Sequence, residues 1–173
     1  LLGTETQQGL YGRWDPDTGV FVLALATEKA LQTYAIDRLV FMVDPSEVHL
    51  LRLEAGTKDV WIGVTGDSWR SQRGSMHPMD EATIAKIRQL LSELRAEGVV
   101  TLGAAKPEQG FAKPQLRVEV QSVLRKEKIA FSIGYGDVWR SMNVVYVRRD
   151  GVEATYAIAQ SKVLPLIEAM GGP

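Results

Sequence analysis

Apolar and polar residues alternate through most of this chain, while helical spacing governs little of it. The clearest case is residues 116 to 123. There Leu116, Val118 and Val120 oppose Arg117, Glu119 and Gln121, the period-2 signature of a strand with one wet face. Residues 48 to 53 read the same way, with His49, Leu51 and Leu53 on one face and Val48, Leu50 and Arg52 on the other. Further strands are predicted over 10–13, 19–25, 59–64, 68–71, 99–102, 129–133, 144–149 and 152–159. Three turn clusters join neighbouring strands: Asp15-Pro16-Asp17-Thr18-Gly19, Thr65-Gly66-Asp67 and Asp150-Gly151. The last is the strongest hairpin signal in the chain. The hairpin about Gly66 carries Trp61 and Trp69 in its two arms and predicts an aromatic cross-strand contact. The apolar run 39–43 predicts a buried strand, and residues 103–114, with two prolines and two glycines, predict a loop.

Helical spacing marks one long segment, residues 80 to 97. Ile84, Ile87, Leu90, Leu91 and Leu94 form one stripe, Asp80 is placed to cap it, Glu81 suits its positive end, and Gly98 is placed to close it. Shorter helices are predicted over 27–36 and 161–170, the second tolerating Pro165 only near its first turn. Together these elements predict an α+β chain: antiparallel sheets built from β-hairpins, with one main amphipathic helix per repeat.

The notion of a repeat comes from an internal echo. Leu10-Tyr11-Gly12-Arg13 returns as Val145-Tyr146-Val147-Arg148, and residues 20–24 fall on 155–159 at the same offset of 135. A tandem-repeat architecture follows as an expectation. Residues 1–37 would be the hairpin and helix that end a preceding copy, and 38–173 one complete unit. A chain opening inside a repeat without Met reads as a processed fragment, with any anchor or export signal upstream.

Composition narrows the functional classes. Twenty Lys and Arg against 21 Asp and Glu give a net charge of -1, too little field to draw the chain onto nucleic acid. The absence of cysteine removes disulfides, thiol catalysis and zinc knuckles. The apolar runs are far shorter than the ~20 residues that span a bilayer. His77 with Asp80 and Glu81 has no third group at metal-ligand spacing, and helix-start chemistry accounts for both acids, so no metal is expected. Gly134-Tyr135-Gly136 is followed by strand-forming residues rather than a helix, so it offers no phosphate cradle, and its glycines are read as easing a sharp strand exit. No serine stands in a nucleophile motif, no cofactor signature is present, and no catalytic residue is assigned. His49 is expected to be half-buried in its sheet. The dipeptides Trp69-Arg70 and Trp139-Arg140 can stack on a peptide, glycan or solute and are the candidate ligand or partner residues; their simpler explanation is indoles anchoring a sheet.

Several segments in sequence resemble the bacterial Domain of Unknown Function family 4340. They are Asp44-Pro45-Ser46-Glu47-Val48, Leu51-Arg52-Leu53, Asp67-Ser68-Trp69-Arg70, the helix with Leu90, Leu91 and Leu94, Phe111-Ala112-Lys113-Pro114, Phe131-Ser132-Ile133-Gly134 and Val145-Tyr146-Val147-Arg148. The resemblance implies an extracytoplasmic protein, anchored in the membrane outside this segment, present in tandem copies and associated with gliding-type ABC transporters. It supplies no catalytic residues. The expected function is therefore a non-enzymatic scaffold or interaction module whose partner is an envelope or transporter-associated protein, or another copy of the repeat. The alternatives are a ligand-binding module and a hydrolase with dispersed carboxylates.

Overall fold

The computed structural model describes residues 2–6, 9–13, 20–23, 37–65, 68–72, 78–122 and 128–171. The chain divides into two compact units, Leu1–Asp37 and Arg38–Pro173. The first contains a three-stranded antiparallel sheet of β1 (Leu2–Thr6), β2 (Gly9–Arg13) and β3 (Val20–Leu23), in that order. The helix predicted over 27–36 lies outside the described residues.

The second unit is one eight-stranded sheet with two α-helices among the described residues. Its strands are β4 (Val48–Ala55), β5 (Lys58–Thr65), β6 (Ser68–Ser71), β7 (Gly98–Leu102), β8 (Leu116–Ser122), β9 (Lys128–Trp139), β10 (Met142–Arg149) and β11 (Ala154–Ala159). They lie in the order β6-β5-β4-β8-β9-β10-β11-β7, and every pairing is antiparallel. Helix α1 (Glu81–Glu93) follows edge strand β6 and delivers the chain to β7 at the opposite edge. Helix α2 (Gln160–Ala169) follows β11 and packs on α1, β10 and β11.

This arrangement overturns the expected repeat architecture. The β2–β3 register (Leu10 opposite Leu23, Tyr11 opposite Val22, Gly12 opposite Phe21), moved by 135, gives the β10–β11 register: Val145 opposite Ile158, Tyr146 opposite Ala157, Val147 opposite Tyr156. The architecture of the second unit is not that of a repeat. Helix α1 carries the chain from one sheet edge to the other, so both hairpin groups of the second unit close into a single large sheet with both helices on one face. Among the described residues there is no succession of hairpin-plus-helix units.

Cross-strand partners share a face. The inner face carries Leu51, Leu53, Val60, Ile62, Leu116, Val118, Val120, Phe131, Ile133, Val145, Val147, Tyr156 and Ile158, all buried. Ile84, Ile87 and Leu91 of α1 and Val163, Leu166 and Ile167 of α2 are buried with them. Each fully buried side chain of this size contributes roughly 1.5–3 kcal/mol of transfer free energy.

Local departures from expectation have identifiable causes. Residues 39–43 form an irregular turn that buries Val40, Phe41 and Val43 and leaves Leu39 and Met42 exposed: Met42 N–H donates to Leu39 O, Val43 N–H donates to Leu91 O of α1, and Phe41 packs edge-on against Phe131 and Tyr156. An apolar run signals burial without fixing backbone form. A bulge between Val48 and Leu50 against β8 turns both Val48 and Leu51 inward and leaves His49 exposed. Asp80 caps α1 as expected, accepting the Thr83 N–H at 2.9 Å. The helix stops at Glu93, however, because Leu94 turns extended to bury its side chain, and Gly98 opens β7 instead of closing the helix. Trp61 does not meet Trp69. Thr65 pairs with Ser68, which sets Trp69 opposite Val64, while Trp61 accepts the Gln72 N–H on its carbonyl. Pro165 sits inside α2 past its first turn, so the ring forfeits one helical bond while its buried neighbours hold the segment.

Candidate functional site

The outer face of the sheet, away from the helices, carries the polar chemistry. Its two halves are built differently. On β4, β5, β8 and the start of β9 the outward positions carry a cluster of charges, with Trp61 among them. Arg52 grips Asp59 with Nε and Nη2, both at 3.0 Å, reaches Glu54 with Nη2 at 2.8 Å, and lies over the Trp61 ring at 4.9 Å. Arg117 joins Asp150 at 2.7 Å and Glu119 at 3.3 Å. Glu119, only 8% exposed, is the hub: Lys128 and Arg117 contact it and Arg52 stands 3.6 Å away. Burial acts to raise the Glu119 pKa, but the Lys128 and Arg117 contacts outweigh it and hold the carboxyl below its usual range.

On β10, β11 and β7 the outward positions include the apolar Val144, Tyr146 and Ala157, and the loop 103–115 covers them. Val144, Tyr146 and Ala157 form a second small core with Val100, Phe111 and Trp139. A buried polar knot pins the loop: Gln109 Nε2 donates to Thr101, while its Oε1 accepts the Lys106 N–H and the Thr155 hydroxyl. Gly134 admits this loop, since a Cβ there would overlap the Gln109 carbonyl oxygen. Gly98 likewise makes room for the Trp139 indole. Gly134 and Gly136 therefore lie within β9, which runs on to Trp139; the expected strand exit is absent.

The β9–β10 arm is rooted in this second core. Trp139 pairs with Met142, and Arg140 and Ser141 between them both adopt left-handed backbone, φ 49° and 64°. A two-residue turn with positive φ at both positions matches the twist of a hairpin and favours Asn-Gly. Here two residues with side chains occupy it, at a cost of about 1–2 kcal/mol each. The Arg140 guanidinium lies 4.5 Å over the Trp139 ring. Asp137 braces the arm: one oxygen accepts the Tyr146 hydroxyl at 2.5 Å and the other the Val138 N–H at 2.7 Å. The same contact pushes the Tyr146 phenol up to about 12 and holds the Asp137 carboxyl low. Beside the tip Val138 and Met142 are exposed, Val138 by 64%, and at the base of the arm Tyr135 is partly exposed with its ring against Gly110.

The candidate residues read from the sequence do not share a cleft. Trp69 is buried on the inner face under Arg88 of α1, and Arg70 is exposed on edge strand β6. Trp139 and Arg140 stand on the outer face, with β5, β4 and β8 between the two pairs. Among the described residues no three His, Asp or Glu side chains are placed to hold a metal, and His77 lies outside them. The carboxylates whose titration moves (Asp44, Asp59, Asp80, Glu119 and Asp137) all move downward, away from what a general acid needs. Sequence reasoning missed the Arg140-Ser141 turn because it carries no glycine, and missed Gln109 because a polar residue in a loop gives no burial signal. The run Tyr135 to Trp139 held strand-forming residues that extend β9.

No family model, curated protein or solved structure matches this chain.

Proposed function

We propose that this chain is a non-enzymatic interaction module working outside the cytoplasm, in an envelope complex of the transporter-associated kind implied by the family resemblance, and that the β9–β10 arm is its contact element. One observation carries the reading. The arm spends backbone strain on a non-glycine tip and flanks that tip with exposed Val138 and Met142, while its base is fixed in a second core. Strained, rigidly supported positions concentrate where a protein makes contact with something else. Stacking of a ligand on Trp139 is less favoured, because Arg140 covers one side of the ring and Gly98 lies against it.

The test is site-specific photo-crosslinking in the cell. A crosslinking residue at Val138 or Met142 of the full-length protein should capture a subunit of the neighbouring transporter, and one at Glu54 on the charged half should not. Equal capture at all three positions, or none at the arm, would overturn the assignment.

A further inference from the structure

At the far end of β10 from the arm, a cavity of about 540 Å³ opens between the β10–β11 turn and the covering loop. It is lined by Phe111, Ser132, Arg148, Asp150, Val152 and Glu153, among others. The size suits a small organic molecule or the end of a peptide. Arg148 is half-buried here, and both of its hydrogen bonds leave from one nitrogen: Nη1 donates to Gly103 O at 2.8 Å and to the Thr155 hydroxyl at 3.5 Å. The edge formed by Nε and Nη2 donates to nothing among the described residues. The acids nearby do not fill it. Asp150 is already gripped by both Nη atoms of Arg117, and Glu153 is exposed at the rim. Arg149 spends its own Nη1 on Val40 O. Phe111, packed on the second core, lines the same cavity and supplies its apolar side.

A half-buried guanidinium with an unused fork has one favoured partner, a carboxylate taken by two parallel N–H···O bonds. We infer that this cavity binds a carboxylate attached to an apolar group, the carboxylate on Arg148 and the apolar part against Phe111. The site is separate from the contact arm. Its ligand is either a small carboxylic acid or a peptide C-terminus, and the chemistry at Arg148 is the same for both.

The experiment is an NMR titration of the intact chain, following the Gly151, Val152 and Phe111 amides. The probes are phenylpropionate and its amide, and Gly-Gly-Phe as the free acid and as the C-terminal amide. The free acids should give saturable shifts at these amides, and each amide should bind more weakly by about tenfold or more, the value of a hydrogen-bonded charge. Arg148→Gln should lose binding by a similar factor, and Arg148→Lys, which keeps the charge without the fork, should fall between. Tighter binding of phenylpropionate identifies a solute site, and tighter binding of the peptide a terminus site. Acid and amide binding alike, no saturable shift with either acid, or full binding by a folded Arg148→Gln would each overturn the inference. The acid-against-amide comparison on the unmodified chain decides the matter even if the variants fail to fold.

Discussion

The two halves of the outer sheet face obey the same alternation and reach opposite solutions. Along β4, β5 and β8, outward positions include Arg52, Glu54, Asp59, Arg117 and Glu119, and the face is left to solvent behind an ion-pair lattice. Along β10, β11 and β7 they include Val144, Tyr146 and Ala157, and a loop comes down to bury them. The first solution costs little and stabilises little, since exposed and half-exposed pairs are worth ~0–1 kcal/mol. The second adds a core, and with it a rigid base for the arm. Alternation says which side a residue faces; the outward residues decide whether that side is covered.

The largest expected effect falls on the covered half. Trp139→Ala should lower unfolding free energy by roughly 3 kcal/mol, the low end for a large aromatic because the indole is half-buried. The loss should be the same at low and high salt in denaturant titrations. Glu119→Gln, on the charged half, should cost roughly 2 kcal/mol by leaving Lys128, Arg117 and Arg52 without their shared anion, and added salt should shrink the loss. A Glu119 effect that exceeds that of Trp139 and ignores salt would reverse the ranking of the two halves.

Titration separates the halves again. The Tyr146 phenol is raised in the folded protein, from 10.0 to about 12, because Asp137 accepts its proton in a hydrogen bond. That stabilisation is fully present below the unfolded value near pH 10 and is lost as pH climbs toward 12. Tyr146→Phe should cost about 1 kcal/mol at neutral pH and remove this alkaline limb, followed by thermal melts across that range. Glu119 is held low, so its stabilisation is present above its ordinary range and is lost as pH falls through the depressed value. Of similar size and opposite sign, Arg140→Asn with Ser141→Gly should stabilise the chain by about 1 kcal/mol, because relief of the left-handed turn is partly offset by the freedom that glycine adds to the unfolded chain, while any contact the tip makes weakens. A double-mutant cycle on Arg52 and Asp59 should return about 0.5 kcal/mol of coupling, the smallest value of the set.

Much of the strand pattern was legible because a period of two is a local property. The segments around Leu116, Leu51 and Val147 needed no tertiary information, nor did the Asp80 cap. Whatever depended on a distant partner was hidden. The run Val40 to Val43 became an irregular turn with Val40, Phe41 and Val43 buried, because α1 supplied the acceptor for the Val43 N–H. The bulge at Val48 exposed His49 through the register of β8, more than 60 residues away (48 to 122). The 135-residue echo was real as a hairpin register, yet it could not reveal that α1 would join both strand groups of the second unit into one sheet. Of the candidate site, Trp139 and Arg140 were visible as a dipeptide. Their turn, the Asp137 brace and the free edge of Arg148 were not, since each depends on geometry that no short motif encodes.

Amide hydrogen exchange along β9 and β10, from Asp137 to Val144, tests the central claim most directly. If the second core holds the arm rigid, the paired amides flanking Arg140 and Ser141 should exchange as slowly as those of the β4–β5 hairpin, and Trp139→Ala should release them selectively. Exchange at the rate of an open loop in the unmodified chain, or no response to Trp139→Ala, would contradict it.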